Sequence, residues 1–243
     1  MDSSIQKSFL LINKPPGPTS HDIVQMVRKK TGIKRVGHAG TLDPFAEGLL
    51  IVLVGRDATK RQAEFLGMDK TYEAVIHLGA TSTTDDVTGE ITPYATKNIS
   101  SSFRVERGIP SDTGVSRSLS SIEMTGLSRN DIERVIHTFV GSYDQMPPPY
   151  SAKKINGKKA YELARKGIMP NLKPKKITVH SLEILSYEWP LLTIQCNVSS
   201  GTYIRALARD IGEKLGVGAY LETLKRTSIG PYELSDAQSI EKQ

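Results

Sequence analysis

Leu49 to Val54 is an unbroken run of six apolar residues with no polar edge to turn toward water. A run that short and continuous reads as a strand covered on both faces, so the chain must build a sheet with further layers packed above and below it. Phe9 to Ile12 predicts a second short buried strand, stopped by Asn13-Lys14-Pro15-Pro16-Gly17-Pro18, whose prolines exclude regular pairing. Ser20 is expected to cap a helix with Ile23, Val24 and Val27 on one face. Tyr72, Ala74, Ile76 and Leu78 alternate with Thr71, Glu73, Val75 and His77, and Ile194, Cys196 and Val198 alternate with Thr193, Gln195 and Asn197, which predicts two more strands. Ser128 with Asp131 makes a capping-box start for a helix carrying Ile132, Val135, Ile136, Phe139 and Val140. A further helix follows Ser199 to Thr202, with Ile204, Leu207, Ala208, Ile211 and Leu215 on its apolar face and Gly216 at its end. Strands and helices mix without a regular βαβ repeat, so the expected class is α+β: one domain, 1–243, with a mixed or antiparallel central sheet flanked by helices. From Asn98 to Ser128, nine serines in thirty-one positions break any period, and this stretch reads as a surface excursion.

Several function classes are disfavoured. No apolar stretch approaches the roughly 18 residues of a membrane-spanning helix, and the opening MDSSIQKS lacks the apolar core of a secretory signal. A single cysteine, Cys196, can form neither an internal disulfide nor a cysteine-rich zinc site, which fits a reducing cytoplasm. There is no phosphate-cradling G-x-x-x-x-G-K-[ST], no H-E-x-x-H and no G-x-S-x-G. The expected chemistry therefore uses no cofactor and no metal.

Charge points to a polyanion. The chain carries +6, but Lys153 to Lys176 alone holds nine basic residues against Glu162, a local +8 that leaves about −2 for the remainder. Taken alone, such a run is a solvated lysine-rich loop or a nucleic-acid contact. The interleaved Tyr150 and Tyr161 favour RNA, because aromatic faces stack on unpaired bases while lysines hold phosphates.

The candidate centre of chemistry is the glycine-punctuated stretch from Gly37 to Gly48, in which Asp43 stands between Leu42 and Pro44. Pro44 restricts Asp43 to extended backbone and the glycines let a ligand approach the main chain. Two readings follow: a carboxylate mounted for catalysis, or an Asx turn in which Asp43 bonds local amides. Inside a closed pocket, an ionised Asp43 needs a cationic partner. Arg205 is the candidate, at the start of a helix and opposite its apolar stripe, where an exposed surface arginine is the competing reading.

GHAGTLDPFAEGLL resembles the catalytic motif of the TruB-type pseudouridine synthase family, which includes stand-alone bacterial tRNA enzymes and catalytic subunits of guide-RNA complexes. NKPPGPTSHDIV, DKTYEAVIHLGATSTTDD, QMPPPYSAKKINGKKAYELARKG and SSGTYIRALARDIGEKLG resemble the family's remaining motifs in the same order. The QMPPPYSAKK segment resembles the stand-alone bacterial form, in which residues corresponding to 143–176 make a basic thumb that closes over RNA.

The resemblance implies the pseudouridine synthase fold and isomerisation of a uridine in the tRNA T-loop, uridine 55, by base flipping without a cofactor. It implies Asp43 as catalytic carboxylate, Tyr72 as the aromatic on the target base, and Arg205 as the partner of Asp43. It also implies contacts to the substrate nucleotide from His38, Tyr203 and Leu224, a structural role for Lys14 and Pro15, and RNA contacts from Lys153, Lys154, Lys158, Lys159, Arg165 and Lys166. The implied partner is the T-arm of tRNA, with no guide RNA, no obligatory protein partner and no membrane. Family members commonly continue into a small RNA-binding PUA domain, whereas only residues 231–243 follow Gly230 here, so RNA recognition is expected to come from the catalytic domain. Joint presence of Asp43, Tyr72 and Arg205 argues against a non-catalytic RNA-binding module, and the thumb argues against a guide-dependent subunit.

Overall fold

In the computed structural model the described residues are 9–94, 127–148, 150, 154–155, 158–159 and 172–240, with 154–155 and 158–159 as backbone only. The serine-rich stretch lies outside them except for its last two residues, and so do Lys153, Arg165 and Lys166.

The apolar run forms β3 (Glu47–Val54), which β1 (Phe9–Lys14) flanks antiparallel on one side. On its other side β12 (Ala219–Ile229) pairs with it in parallel, and β2 (Val36–Ala39) also joins its edge. Its two faces bury in different cores, as continuous hydrophobicity requires. Leu50 and Val52 pack with Ile12, Ile23, Val24 and Val27, while Leu49, Ile51 and Leu53 pack with Ala58, Phe65 and Ile229. Each buried side chain of this kind contributes about 1.5–3 kcal/mol relative to exposure.

Beyond β12 the sheet continues through β4 (Lys70–Leu78), β11 (Leu191–Val198), β10 (Lys175–Glu188) and β7 (Gly141–Gln145), all antiparallel to their neighbours. At the opposite edge β14 (Gln238–Ser239) pairs parallel with β1, so among the described residues the sheet is mixed but mainly antiparallel. The short β13 (Tyr232–Glu233) turns back on the end of β12, and β5 (Ala80–Ser82) with β6 (Ile91–Pro93) makes a separate antiparallel pair. Two helices, α4 (Arg129–His137) and α5 (Ile204–Leu215), cover one face of the β4–β11–β10 half and complete the largest core. Two shorter ones, α2 (Arg56–Lys60) and α3 (Gln62–Gly67), lead from β3 into β4. In the basic segment, β8 (Lys154–Ile155) and β9 (Lys158–Lys159) pair antiparallel. No helix among the described residues is long and apolar enough to cross a membrane.

Two local expectations are corrected, and the choice between the two readings of Arg205 is decided. The cap of α1 (Ser20–Thr31) is Thr19, whose hydroxyl accepts from the Asp22 amide at 3.1 Å while the Asp22 carboxylate accepts from the Thr19 amide at 2.8 Å. Ser20 turns inward instead. Val140 lies past the end of α4 and is 45% exposed, because the helix closes at Thr138 before reaching it. Arg205 is no surface arginine: Ile204 through Ala208 are all buried, so the first turns of α5 are enclosed all round and Arg205 is 6% exposed.

Candidate active site

Asp43 sits on a loop whose backbone is fixed on both sides. Ser20 Oγ accepts from Leu42 N at 2.9 Å and donates to Leu42 O at 3.0 Å, a two-point hold on the residue before Asp43. After it, Pro44 O accepts from Gly17 N at 2.8 Å and from Lys14 Nζ at 3.2 Å, and Ala46 O accepts from Lys14 Nζ at 2.6 Å. Lys14 is fully buried, and desolvation lowers its ammonium to about 8 even though Asp43 pulls the other way. The proline-rich turn and the start of α1 therefore serve as the mount for Asp43. Gly48 is where β1, β3 and β12 converge: a Cβ there would stand 2.3 Å from the Arg226 carbonyl oxygen, so only glycine fits.

The Asp43 carboxylate faces Arg205. Arg205 Nε lies 3.0 Å from Asp43 Oδ2 and Nη1 lies 3.3 Å from Asp86 Oδ2. Two further guanidinium donors are directed too, Nη1 to Thr84 O at 3.0 Å and Nη2 to Tyr150 O at 3.1 Å. Asp86 is itself immobilised, since its Oδ1 accepts from Thr84 Oγ1 at 2.7 Å and from Thr88 N at 2.9 Å. Burial raises the Asp43 carboxyl above the usual carboxylate range, Arg205 opposes that rise, and the neighbouring Asp86 adds to it. The side chain of Asp43 remains 36% exposed, open to an adjoining cavity.

That cavity, about 410 Å³, brings together Asp43, Tyr72, Tyr203, Arg205 and Leu224. Tyr72 and Leu224 come from adjacent strands: Tyr72 pairs with Arg226 and Ala74 with Leu224, so the tyrosine and the leucine share one sheet face. Tyr203 is the residue that caps α5. Together they make an apolar slot beside a carboxylate, a shape suited to a flat polar ring held by its faces.

His38 is not among the residues lining the cavity. It lies in β2, where its carbonyl accepts from Gln62 Nε2 at 2.7 Å and burial lowers its pKa. Of the expected RNA-contacting residues, Lys154, Lys158 and Lys159 occupy β8 and β9.

Four residues of the site escape sequence reasoning. Lys70 and Arg226 also line the cavity. Asp86 holds Arg205 from the side away from Asp43. Gln145, 1% exposed, grips Tyr203 at both backbone groups, accepting from its N–H at 2.9 Å and donating to its carbonyl at 3.1 Å. Lys70, Asp86 and Gln145 fall inside the stretches that carry the family resemblance without being singled out there, and Arg226 lies outside them.

Comparison with known proteins supplies the remaining constraint. The family model described as TruB family pseudouridylate synthase (N terminal domain) matches residues 28–115 and 102–204, and that of the tRNA pseudouridylate synthase B C-terminal domain matches residues 205–242. The second match provides Arg205, Leu224 and Arg226 to the cavity and β12 to the middle of the sheet. The tRNA pseudouridine synthase B of Protochlamydia amoebophila (strain UWE25) is 41% identical over 95% of this chain and 77% of its own length. That of Aquifex aeolicus (strain VF5) is 40% identical over 96% and 72%. Among solved structures, a chain of a Cbf5-Nop10-Gar1 complex superposes with a TM-score of 0.67 at 27% identity, over 97% of this chain and 53% of that one. Since this similarity runs nearly end to end and the family models divide at the very wall of the Asp43 cavity, the chain belongs to the TruB family of pseudouridylate synthases and is an isomerase.

Proposed function

We propose that the protein converts uridine 55 in the T-loop of tRNA to pseudouridine, with Asp43 as the catalytic carboxylate. The observation that carries this reading is the 3.0 Å pairing of Asp43 with a buried arginine at the mouth of a nucleotide-sized slot.

The reaction breaks the N1–C1′ bond, turns the base and forms C5–C1′; the C5 proton is lost and N1 gains one, so no atom or electron is left over. One ionised carboxylate suffices, whether it attacks the sugar, adds to the ring or removes a sugar proton. All three routes need Asp43 charged in a place where burial opposes charge, and Arg205 answers that need. The uridine must leave its stack at a cost of a few kcal/mol, and Tyr72 and Leu224 receive it on their two faces, with Tyr72 placed to assist loss of the C5 proton. The lysines of the basic segment hold the T-arm phosphates.

Incubating the purified protein with unmodified tRNA and mapping pseudouridine tests this directly. Modification at position 55 is the expected result; unmodified tRNA after prolonged incubation refutes the reading.

A further inference from the structure

The cavity is electrically lopsided in a way the Asp43 chemistry does not use. At one end Asp43 is paired with Arg205, and Asp86 holds Arg205 from behind. At the other, Lys70 and Arg226 are 6% and 1% exposed, and among the described residues neither has a carboxylate within salt-bridge distance. Lys70 Nζ donates to Leu66 O at 2.9 Å and to Met68 O; Arg226 donates to Leu49 O at 2.7 Å and Gly40 O at 3.1 Å. These bonds occupy two of three ammonium donors and two of five guanidinium donors. The two side chains converge on Gly40: a Cβ there would lie 3.5 Å from Arg226 Nη1 and 3.8 Å from Lys70 Cε. Two buried like charges brought together without a counterion cost stability, and an anionic ligand relieves that cost.

Register fixes what kind of anion fits. Lys70 and Tyr72 are two residues apart on the inward face of β4, about 6.5–7 Å along the strand. Arg226 pairs directly with Tyr72, and Leu224 lies one strand repeat away from Arg226 on the far side from Lys70. A pyrimidine seated between Tyr72 and Leu224 therefore has the cations at the distance of its own sugar–phosphate chain. Ser199 to Thr202 also line the cavity.

We propose that Lys70, Arg226 and the backbone at Gly40 form a phosphodiester subsite that takes one of the two phosphates flanking the target uridine. This rests on the reading of the slot as the uridine site. It is built into the sheet, from β4 and β12, and engages only a nucleotide that has left its stack.

The test uses full-length tRNA assembled by ligation, carrying one neutral methylphosphonate at each flanking phosphate in turn. One position is expected to weaken binding about tenfold. Lys70→Met should weaken binding of ordinary tRNA by a similar factor and lose nothing further from that methylphosphonate, since both changes delete the same interaction. Multiplying losses, or indifference of the parent protein to both positions, overturns the subsite. A second measurement needs no variant. Burial and Arg226 lower the Lys70 ammonium to about 8, with Asp69 opposing and Lys175 adding to the fall. Affinity for ordinary tRNA should then decline above pH 8, and the critical methylphosphonate should abolish that decline; an identical decline for both RNAs contradicts the inference. Binding is read whether or not turnover occurs. Loss of pseudouridine formation with the phosphate effect intact refutes the reaction and leaves the subsite standing; equal modification and equal binding of every methylphosphonate tRNA do the reverse.

Discussion

Arg205 stands between two carboxylates, its Nε 3.0 Å from Asp43 and its Nη1 3.3 Å from Asp86, with Asp86 locked in place by Thr84 and Thr88. The guanidinium is thus aimed at Asp43 by a partner that cannot swing away. A single exposed ion pair would contribute little, but here the arginine is 6% exposed and removing it strands two acids.

Arg205→Met should therefore lower kcat more than it raises KM, and should move the acid limb of the pH–rate profile. Burial raises the Asp43 carboxyl and Arg205 holds that rise down, so losing Arg205 raises it further. Activity that needs the carboxylate is lost as pH falls, and in the variant it is lost at a higher pH. A profile unchanged in shape between pH 5 and 8 would dissociate Arg205 from the ionisation of Asp43.

Gln145 offers a sharper test of positioning. Its amide holds both backbone groups of Tyr203, two residues before Arg205. In Gln145→Glu an ionised carboxylate cannot donate to the Tyr203 carbonyl, whereas the protonated acid can. Relative to the parent enzyme, kcat/KM of this variant should be down about tenfold, or ~1.4 kcal/mol, at pH 8 and recover as pH falls. Gln145→Met should show the loss at every pH. A constant ratio for Gln145→Glu would reduce Gln145 to packing.

How much of the molecule is legible in its sequence divides by range. Local signals are sound: the two-faced burial of β3 follows from six consecutive apolar residues, and the Ser128–Asp131 box caps α4. Thr19 and Ser20 are both good caps, and sequence alone does not say that Ser20 has a better partner in Leu42, twenty-two residues away. Lys70, Arg226 and Gln145 look like surface residues in one dimension. Their burial comes from pairing β4 with β12 and from seating β7 beside α5, contacts between segments far apart in the chain. Asp43, Tyr72, Arg205, Tyr203 and Leu224 are reached through motif resemblance, and the fold gathers them around one cavity.

The mount beneath Asp43 has its own pH signature. Lys14 is lowered from 10.5 to about 8 in the folded protein, so between those values the unfolded chain binds more protons. Stability contributed by this group therefore rises as pH goes from 8 to 10.5. Lys14→Met should lose about 2–4 kcal/mol at pH 7 by leaving the carbonyls of Pro15, Pro44 and Ala46 without their donor. The gap to the parent protein should widen from pH 8 to 10.5, because the variant lacks that gain. Urea unfolding at both pH values measures it, and a constant gap would mean that Lys14 is not desolvated.

Replacing Lys153, Lys154, Lys158 and Lys159 by alanine should weaken RNA binding and flatten its salt dependence, by up to ~0.7 in log–log slope for each phosphate of unpaired RNA that the variant no longer holds. Equal slopes for variant and parent would make the basic segment a solvated loop.

If the charge on Asp43 drives the isomerisation, removing that charge alone should stop the reaction. Asp43→Asn keeps the shape of the side chain and of the loop held by Ser20, Gly17 and Lys14, while removing the charge that Arg205 faces. Single-turnover conversion of unmodified tRNA by this variant, at protein concentrations that saturate the RNA, separates chemistry from binding. The expected result is normal RNA binding with no pseudouridine above background; formation of pseudouridine near the parent rate would contradict the account.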